Sequence, residues 1–294
     1  MNPQPLPNSA DPALPSTLRA LFGRHNFRPR KRLGQHFLVV PQIADRILEI
    51  ARISEGDRVL EIGAGAGALT WRLAKTASFT LALEVDSRLV EILAEIFPAS
   101  GGLRLLKADI LKTDLGEILD GGTWKVLGNL PYYITGPILA KLLEERRAFS
   151  SIVLMVQKEV AERIASPPGS KAYGALSVAA QAHFLIRKEK TVKRTAFYPQ
   201  PEVDSAVISL TPRPRPPVRT EEEEDFGRLV KAAFSHRRKT LEKSLLEAGF
   251  LKSREEIFPA LEKSGVGRGR RAESLSIEEF VALTRQLRGR DRGD

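Results

Sequence analysis

The sequence predicts an α/β fold in which a mostly parallel, doubly wound sheet with helices on both faces precedes a small all-helical domain. Between residues 59 and 156, apolar strand patterns alternate with helical patterns through short loops, an order typical of parallel sheets. The run Ser151–Val156 is largely apolar, as expected of a strand covered on both faces. From Thr220 onward the patterns are helical.

The predicted elements follow this alternation. The first helix begins at Pro41, a residue favoured in a first helical turn. The predicted strands are Val59–Ile62, Thr80–Leu83, Leu103–Leu106, Lys125–Leu127 and Ser151–Val156. Later elements are helix Ala175–Ala182, the β-rich pieces Phe184–Ile186 and Ala206–Leu210, a helix capped by Thr220 with Glu223, and helices Leu241–Ala248 and Ile277–Leu287.

Composition predicts the domain boundaries. Residues 1–27 are rich in Pro, Ser and Asn, so we expect a flexible tail. Residues 28–212 contain the predicted sheet and its ligand site. Residues 213–219 alternate Pro with Arg, which predicts a stiff linker. Residues 220–294 form the predicted helical domain.

Bulk numbers limit the class of protein. The chain has 294 residues and no cysteine, which excludes disulfides, thiolate metal sites and cysteine nucleophiles. It has neither a bilayer-spanning apolar run nor a signal-peptide pattern, so we expect a cytoplasmic protein without a membrane partner. The net charge of +10 favours a polyanionic partner. Positive residues cluster at 28–32, 213–219, 237–239 and 268–271.

Three polar stretches follow successive predicted strands. The glycine loop, residues 63–67, would let backbone N–H groups approach a nucleotide-like ligand. Glu84 ends the second strand, where an acid binds ribose hydroxyls in such folds. Asp109 follows the third strand and could accept a hydrogen bond from an adenine amine. These features alone do not separate NAD from S-adenosylmethionine (SAM), although the loop lacks the G-x-G-x-x-G spacing of dinucleotide sites.

A fourth stretch, Gly128–Thr135, follows the strand Lys125–Leu127. Asn129 offers an acceptor oxygen, Pro131 restricts the backbone, and Tyr132 supplies a ring for stacking. This combination suits a site for a flat base, while an ordinary polar turn between strand and helix uses the same residue types.

Five motifs carry a resemblance to a known family. Glu61–Gly67 resembles the first motif of SAM-dependent methyltransferases, and Asn129–Tyr132 resembles that of enzymes that methylate the exocyclic amine of adenine. The other three motifs are Gly34–Leu38, Phe197–Ser205 and Phe234–Leu241. All five occur in the same order as in the family. Over residues 28–290 the chain is similar to the KsgA/RsmA family, which dimethylates two adjacent adenines near the 3′ end of 16S rRNA. His36 stands where that family more often has Asn.

The resemblance implies a Rossmann-like SAM-dependent methyltransferase with SAM as co-substrate and no metal. It implies a monomer whose partner is 16S rRNA or the assembling small ribosomal subunit. Gly63 and Gly65 would line the methionine end of SAM, Glu84 would bind its ribose, and Asp109 would bind its adenine. The residues that would close over SAM are Gln35, His36 and Leu38.

The resemblance also implies how catalysis works. Asn129 would lie between SAM and substrate, and its side-chain oxygen with the Leu130 backbone oxygen would hold the adenine amine for in-line attack on the methyl group. Tyr132 would stack on the flipped base, with Phe197 on its other side. We expect phosphate contacts or an interdomain role for Arg237, Arg238 and Lys239.

Several alternatives share parts of this pattern. The 23S rRNA adenine methyltransferases usually carry Ile in place of Leu130 and Asn in place of Asp204, so both positions favour the small-subunit enzymes. A non-catalytic ribosome-assembly or RNA-binding factor on the same scaffold is expected to have lost the glycine loop or the Asn129 motif, and both are intact. A dinucleotide oxidoreductase would need the G-x-G-x-x-G spacing and a substrate His or Tyr/Lys pair.

Overall fold

The computed structural model describes residues 10–97, 101–251 and 253–288. Its strands, in chain order, are β1 (Phe37–Leu38), β2 (Arg58–Ile62), β3 (Phe79–Glu84), β4 (Leu103–Lys107), β5 (Trp124–Asn129), β6 (Phe149–Gln157), β7 (Phe184–Val192), β8 (Phe197–Tyr198) and β9 (Ser205–Pro212).

The structure also contains α-helices and short 3-10 turns. The α-helices are α1 (Pro15–Arg24), α2 (Pro41–Ala51), α3 (Thr70–Thr76), α4 (Ser87–Ile96), α5 (Leu115–Ile118), α6 (Thr135–Glu144), α7 (Lys158–Ile164), α8 (Ala175–His183), α9 (Glu223–Ala233), α10 (Leu241–Glu247), α11 (Arg254–Lys263) and α12 (Ile277–Leu287). None of the helices in the described ranges has the length and apolar content needed to cross a membrane.

The main sheet has the strand order β4-β3-β2-β5-β6-β9-β7. Strands β4, β3, β2, β5 and β6 are parallel to their neighbours, and β9 pairs with β6 antiparallel. The predicted mostly parallel sheet is therefore confirmed. From β2 the chain builds outward through β3 and β4, then returns to the other side of β2 with β5. This change of direction lies between the carboxyl ends of β2 and β5, where open α/β sheets bind their ligands.

Apolar side chains on both faces of the sheet explain why these strands form. The central residues Leu60, Val126 and Leu154 are completely buried. The register places Leu60 beside Leu81 on one side and Val126 on the other. Because Ile62 pairs with Gly128, the glycine loop and Asn129 leave the sheet from adjacent positions. Strand packing thus fixes the distance between the two motifs.

Residues 10–27 are not a tail, so that prediction is wrong for this range. Pro15 starts α1 at its first turn, and Leu18, Leu21 and Phe22 are spaced to share one face. These side chains are buried against a cluster that includes Phe37. The Pro and Ser residues around this stretch obscure its helical spacing in the sequence. Residues 1–9 lie outside the described residues.

Charged side chains also anchor this N-terminal segment. Asp11 Oδ2 lies 2.8 Å from the Arg72 guanidinium, and both side chains are largely buried. Arg88 donates hydrogen bonds to the backbone oxygens of His25 and Asn26 at 3.0 and 2.7 Å. Residues 10–27 are therefore an integral part of the sheet domain.

The chain forms two compact units. The first contains the described part of residues 1–161 together with 187–211, and the second contains 162–186 and the described part of 212–294. Residues 162–186 belong to the sheet domain in the domain boundaries predicted from composition. In the structure this segment joins the C-terminal helices because buried Tyr173 and Val178 pack into their apolar cluster, with Phe226 and Phe280.

Two local predictions about the second unit also need correction. Within residues 213–219, Arg213 donates from Nε to the Gln181 oxygen at 2.7 Å and Val218 is buried, so this stretch packs within the unit. The cap before α9 uses Arg219, whose N–H donates to Glu222 Oε2 at 3.0 Å, one residue earlier than predicted. Glu222 also accepts a hydrogen bond from Arg285 Nε at 2.7 Å, so its carboxylate is held from two sides.

Candidate active site

A cavity opens at the carboxyl ends of the parallel strands, where all four polar stretches are predicted to lie. It encloses about 1080 Å³ of unfilled space, its open mouth included. The glycine loop, the end of β3, the stretch 108–110 and the Asn129 motif all line it. Residues 33–38 complete the wall. We refer to residues 28–38 as the arm.

The glycine loop makes a tight turn that only glycine accommodates readily. Gly63 and Gly65 have φ values of +75° and +60°, in the left-handed region. The N–H groups of Gly63 and Ala64 both donate to the Leu83 oxygen, at 2.9 and 3.0 Å. Since these donors are already occupied, this part of the loop is poorly suited to cradling a pyrophosphate. The geometry disfavours the dinucleotide alternative.

Glu84 is held at the end of β3 by backbone donors. The N–H of Gly65 donates to its Oε2, and those of Val85 and Asp86 donate to Oε1, each at 2.9 Å. Burial raises the pKa of Glu84, while these hydrogen bonds act in the opposite direction. The carboxyl group lines the cavity in a fixed orientation, with lone pairs left to accept hydrogen bonds from a diol.

The arm is attached to the acidic turn that follows β3. Gln35 Nε2 donates to Asp86 Oδ2 at 2.9 Å, and Gln35 Oε1 accepts from the Arg30 N–H at 2.8 Å. The Arg30 guanidinium lies 3.5 Å from Asp86 Oδ1. Gln35 therefore binds its own arm to the turn beside Glu84, which closes one side of the cavity.

Asn129 connects the arm to the opposite side of the cavity. Its Nδ2 donates to the His36 backbone oxygen at 2.9 Å. A carbonyl oxygen only accepts, so this contact assigns the amide orientation and leaves Oδ1 as the available acceptor. No hydrogen bond to a described residue occupies Oδ1. The His36 ring donates from Nδ1 to the Pro199 oxygen at 2.7 Å.

Tyr132 lies next to Asn129 with its ring nearly parallel to that of His36, at 5.5 Å between centroids. Its hydroxyl shares a 2.6 Å hydrogen bond with Ser205 Oγ, and burial raises its pKa. Leu130 is buried, and its N–H donates to the Met155 oxygen at 3.0 Å. The motif thus presents an amide oxygen and an anchored ring to the same cavity.

The chain that forms this cavity matches a known protein family. The family model described as ribosomal RNA adenine dimethylase matches residues 26–288. The chain belongs to the ribosomal RNA adenine dimethylase family. The resemblance found in the sequence is confirmed, and with it the prediction of a SAM-dependent rRNA adenine dimethyltransferase.

Relatives of this adenine dimethylase share nearly half of its residues. A protein from Geobacter metallireducens named ribosomal RNA small subunit methyltransferase A is 46% identical, covering 88% of this chain and 96% of its own. A protein of the same name from Pelotomaculum thermopropionicum is 44% identical, covering 92% and 95%. These names favour the small-subunit prediction over the 23S alternative.

Solved structures agree on the fold of the dimethylase. A dimethyladenosine transferase from Plasmodium falciparum superposes with a TM-score of 0.72 at 27% identity, covering 84% of this chain and 96% of its own. The 23S rRNA methyltransferase ErmE superposes with a TM-score of 0.66 at 27% identity, covering 85% and 99%. Both share the architecture, so the fold alone does not separate the two targets.

All of the predicted cofactor and catalytic residues of the dimethylase line the cavity. Besides those described above, Leu38 and Asp109 line it. Asp109 Oδ1 accepts from the Leu111 N–H at 3.0 Å, which orients its carboxylate. Phe197 differs, since its side chain is 4% exposed, packs in the apolar cluster around α2 and does not line the cavity. Its stacking on a base stays a prediction.

The predicted basic motif lies in the second unit of the dimethylase. Arg237 donates to the Lys171 backbone oxygen and lies 3.5 Å from Glu273. Lys239 Nζ donates to Glu247 Oε1 at 2.6 Å. Arg238 is exposed and forms no hydrogen bond or ion pair with a described residue. Two of the three positive charges are thus partly neutralised, and a phosphate contact stays a prediction.

Glu61, which belongs to the Glu61–Gly67 motif but has no predicted role, lines the cavity. Its side chain is 1% exposed and accepts a hydrogen bond from Thr70 Oγ1 at 2.7 Å. Burial, opposed by that hydrogen bond and reinforced by the nearby Glu84 charge, raises the pKa of Glu61 to about 7. The sequence does contain a signal for this residue, an acid between the apolar residues of a strand. A buried acid usually has a functional or structural cause.

Within the described residues, no group of three or more His, Cys, Asp and Glu side chains is placed to hold a metal ion. The prediction of an enzyme without a metal stays a prediction.

Proposed function

We propose that this enzyme transfers methyl groups from SAM to the exocyclic N6 of two adjacent adenosines near the 3′ end of 16S rRNA. The names of the relatives support the small-subunit target. The observation that carries the proposal is Asn129, whose Nδ2 is engaged by the His36 oxygen. Its Oδ1 is left to accept a hydrogen bond from an amine in the cavity.

The cavity fits SAM by the chemistry of its walls. The left-handed turns at Gly63 and Gly65 keep side chains out of the space assigned to the methionine end. Glu84 has the acceptor chemistry that a ribose diol needs, and Asp109 has that for an adenine amine. The arm residues Gln35, His36 and Leu38 supply the remaining wall.

Bound SAM supplies a methyl group made electrophilic by its positively charged sulfur. The adenine amine is a poor nucleophile because its lone pair is delocalised into the ring. Hydrogen bonds from that amine to Asn129 Oδ1 and to the Leu130 backbone oxygen favour a pyramidal nitrogen, whose lone pair is available for attack. The main contribution of the protein is proximity and orientation. The N–C bond would form as the S–CH3 bond of SAM breaks, which leaves a neutral thioether. The methylated, positively charged nitrogen would then release its proton to water, so no strong base is required beforehand.

The target base needs a surface against which to lie flat. The Tyr132 ring is held in place by its hydroxyl contact with Ser205 and by the adjacent His36 ring. We propose that it stacks on an adenine flipped out of the RNA. We propose that Phe197 contacts the other face of the base. Its ring would have to become exposed to do so.

We further propose how the remainder of the chain serves this reaction. The first unit carries out methyl transfer, and the helical region of residues 220–294 binds rRNA or the assembling small subunit. The net charge of +10 supports this role, with Arg237, Arg238 and Lys239 as candidate phosphate contacts. We also propose that the enzyme is a monomer, acts in the cytoplasm and uses no metal.

The test uses the full chain, methyl-labelled SAM and small ribosomal subunits that lack the modification. We expect label on N6 of two adjacent adenosines near the 3′ end of 16S rRNA, mapped by nuclease digestion and mass spectrometry. Unmodified large subunits serve as the matched control. Label on large-subunit adenosines alone would replace the proposal with the 23S alternative, and absence of label from both would refute it.

A further inference from the structure

A second aromatic side chain, Tyr133, lines the same cavity and has no role in the proposed reaction. Its side chain is 57% exposed, the largest value among the exposed large hydrophobic residues of the described ranges. Tyr132, the preceding residue, is partly buried and anchored by Ser205. The two adjacent tyrosines therefore differ, because one is fixed inside the cavity and the other stands at its mouth.

The arm leaves room for the Tyr133 ring. Gly34 has φ of +57°, and a Cβ atom there would lie 3.2 Å from Tyr133 Cδ1. Such a contact is tighter than most, so a side chain at position 34 would push the ring away. The same hypothetical atom would lie 3.5 Å from Pro131 Cβ. The ring thus rests beside the glycine backbone of the arm, with much of its surface open to solvent.

The surroundings of Tyr133 match the requirements of single-stranded RNA. The turn Lys31–Leu33 directly precedes Gly34, whose N–H donates to the Lys31 oxygen at 3.0 Å. Lys31 and Arg32 are exposed, and neither side chain binds a described residue. A ring that rests against Gly34, next to a turn that carries two exposed cations, offers a surface for stacking a base and positive charge for its backbone.

We propose that Tyr133 is a stacking platform for the nucleotide adjacent to the adenine held at Asn129. The inference rests on the proposed function, because a strand that sends one base into the cavity must carry its neighbour past the mouth. Stacking there would set the depth to which the target base enters. It would also keep the second adenosine next to the site for its own methylation. Tyr133 is thus a positioning residue.

The test compares Tyr133→Ala with Tyr133→Phe, which keeps the ring. Tyr198→Ala is the matched control, because Tyr198 is 48% exposed and does not line the cavity. One readout is the affinity for a single-stranded RNA with two adjacent adenines, the second replaced by fluorescent 2-aminopurine. The other is the steady-state kinetics of methylation of unmodified small subunits.

We expect Tyr133→Ala to weaken RNA binding and to raise KM by about 5- to 150-fold, the range measured for loss of one stacked base. We expect Tyr133→Phe and Tyr198→Ala to stay within about twofold of wild type, and the SAM affinity of all three to be unchanged by calorimetry.

Equal RNA affinity and equal KM in Tyr133→Ala and wild type would overturn the platform. A fall in SAM affinity in Tyr133→Ala would overturn it as well, since the ring would then shape the cofactor space. Binding of the 2-aminopurine RNA tests the Tyr133 platform separately from the proposed methylation of 16S rRNA. If no methyl group reaches 16S rRNA but RNA binding still depends on the Tyr133 ring, the proposed function fails and the platform stands.

Discussion

Two sides of the same cavity hold their functional atoms in different ways. On the glycine-loop side, three backbone N–H groups within about 20 residues of one another hold the Glu84 carboxylate. On the other side, Asn129 is held by one contact to His36, 93 positions earlier in the sequence. The Glu84 carboxylate is therefore held by nearby stretches of chain, whereas the Asn129 amide depends on the arm reaching across the fold.

Asn129→Ala removes the side-chain oxygen proposed to accept a hydrogen bond from the adenine amine. It has the largest expected effect, which is on kcat. Loss of one hydrogen-bond acceptor aimed at the reacting group costs about 10²–10³ in kcat when the group acts mainly in the transition state. The measurement is incorporation of labelled methyl groups into unmodified small subunits.

SAM affinity by calorimetry and the unfolding temperature are the controls for Asn129→Ala. The unfolding temperature should stay close to wild type, and SAM affinity should fall far less than methyl transfer, because Glu84 and its backbone donors are untouched. Incorporation equal to wild type would show that Asn129 has no catalytic role.

Glu84→Ala removes the carboxylate on the glycine-loop side of the cavity. It takes away the proposed ribose acceptor and leaves the N–H groups of Gly65, Val85 and Asp86 without a partner. We expect the Kd for SAM to rise by about 10- to 100-fold, from the loss of one or two charge-assisted hydrogen bonds. Glu91→Ala, an exposed acid on α4, is the control. An unchanged calorimetric affinity would exclude the ribose role.

Gly128→Ala affects both sides, because Gly128 lies beside Ile62 at the end of β5. A Cβ atom there would lie 2.7 Å from the Ile62 backbone oxygen, so the strand must shift. Overpacking of this kind costs about 1–3 kcal/mol in the free energy of unfolding. We also expect methyl transfer to fall, since Asn129 is the next residue.

Gly136→Ala is the matched control for Gly128→Ala. Gly136 lies in the first turn of α6, and a Cβ atom there meets nothing within 4 Å. Chemical denaturation should place this variant at or slightly above wild type. Equal stability of the two alanine variants would show that the close approach of β5 to β2 does not constrain the site.

Glu61→Gln tests a second buried acid of the cavity, whose hydrogen bonds come from Thr70, whereas Glu84 is held by three backbone donors. The pKa of Glu61 rises from 4.5 to about 7 on folding, so the folded state binds the proton more tightly. Wild-type stability should therefore fall as pH rises from 4.5 to 7, by at most about 3 kcal/mol. Glutamine keeps an acceptor for Thr70 and does not ionise.

Denaturant unfolding from pH 5 to 8 without SAM measures this effect. The stability of Glu61→Gln relative to wild type should increase up to about pH 7 and then level off. Glu55→Gln, at an exposed position, should show no such trend. A constant difference between Glu61→Gln and wild type across this range would contradict the raised pKa.

Much of the sheet and of the site was predictable from the sequence because the signals are local. The strands are short apolar runs that end at polar residues, and the carboxyl ends of parallel strands meet at one edge. Glu84, Asp109 and Asn129 could therefore be assigned to one cavity before the structure was known. The missed helix α1 had only three apolar residues at helical spacing within a Pro-rich stretch.

The sequence alone determined which groups are present and where the strands end, since both follow from residue type and short-range periodicity. Tertiary structure decided which of these groups meet. The contacts of Gln35 with Asp86 and of Asn129 with His36 join residues 51 and 93 positions apart, and no pattern along the chain encodes such a distance. The burial that places Phe197 in the core and raises the pKa of Glu61 likewise arises only when separate elements pack together.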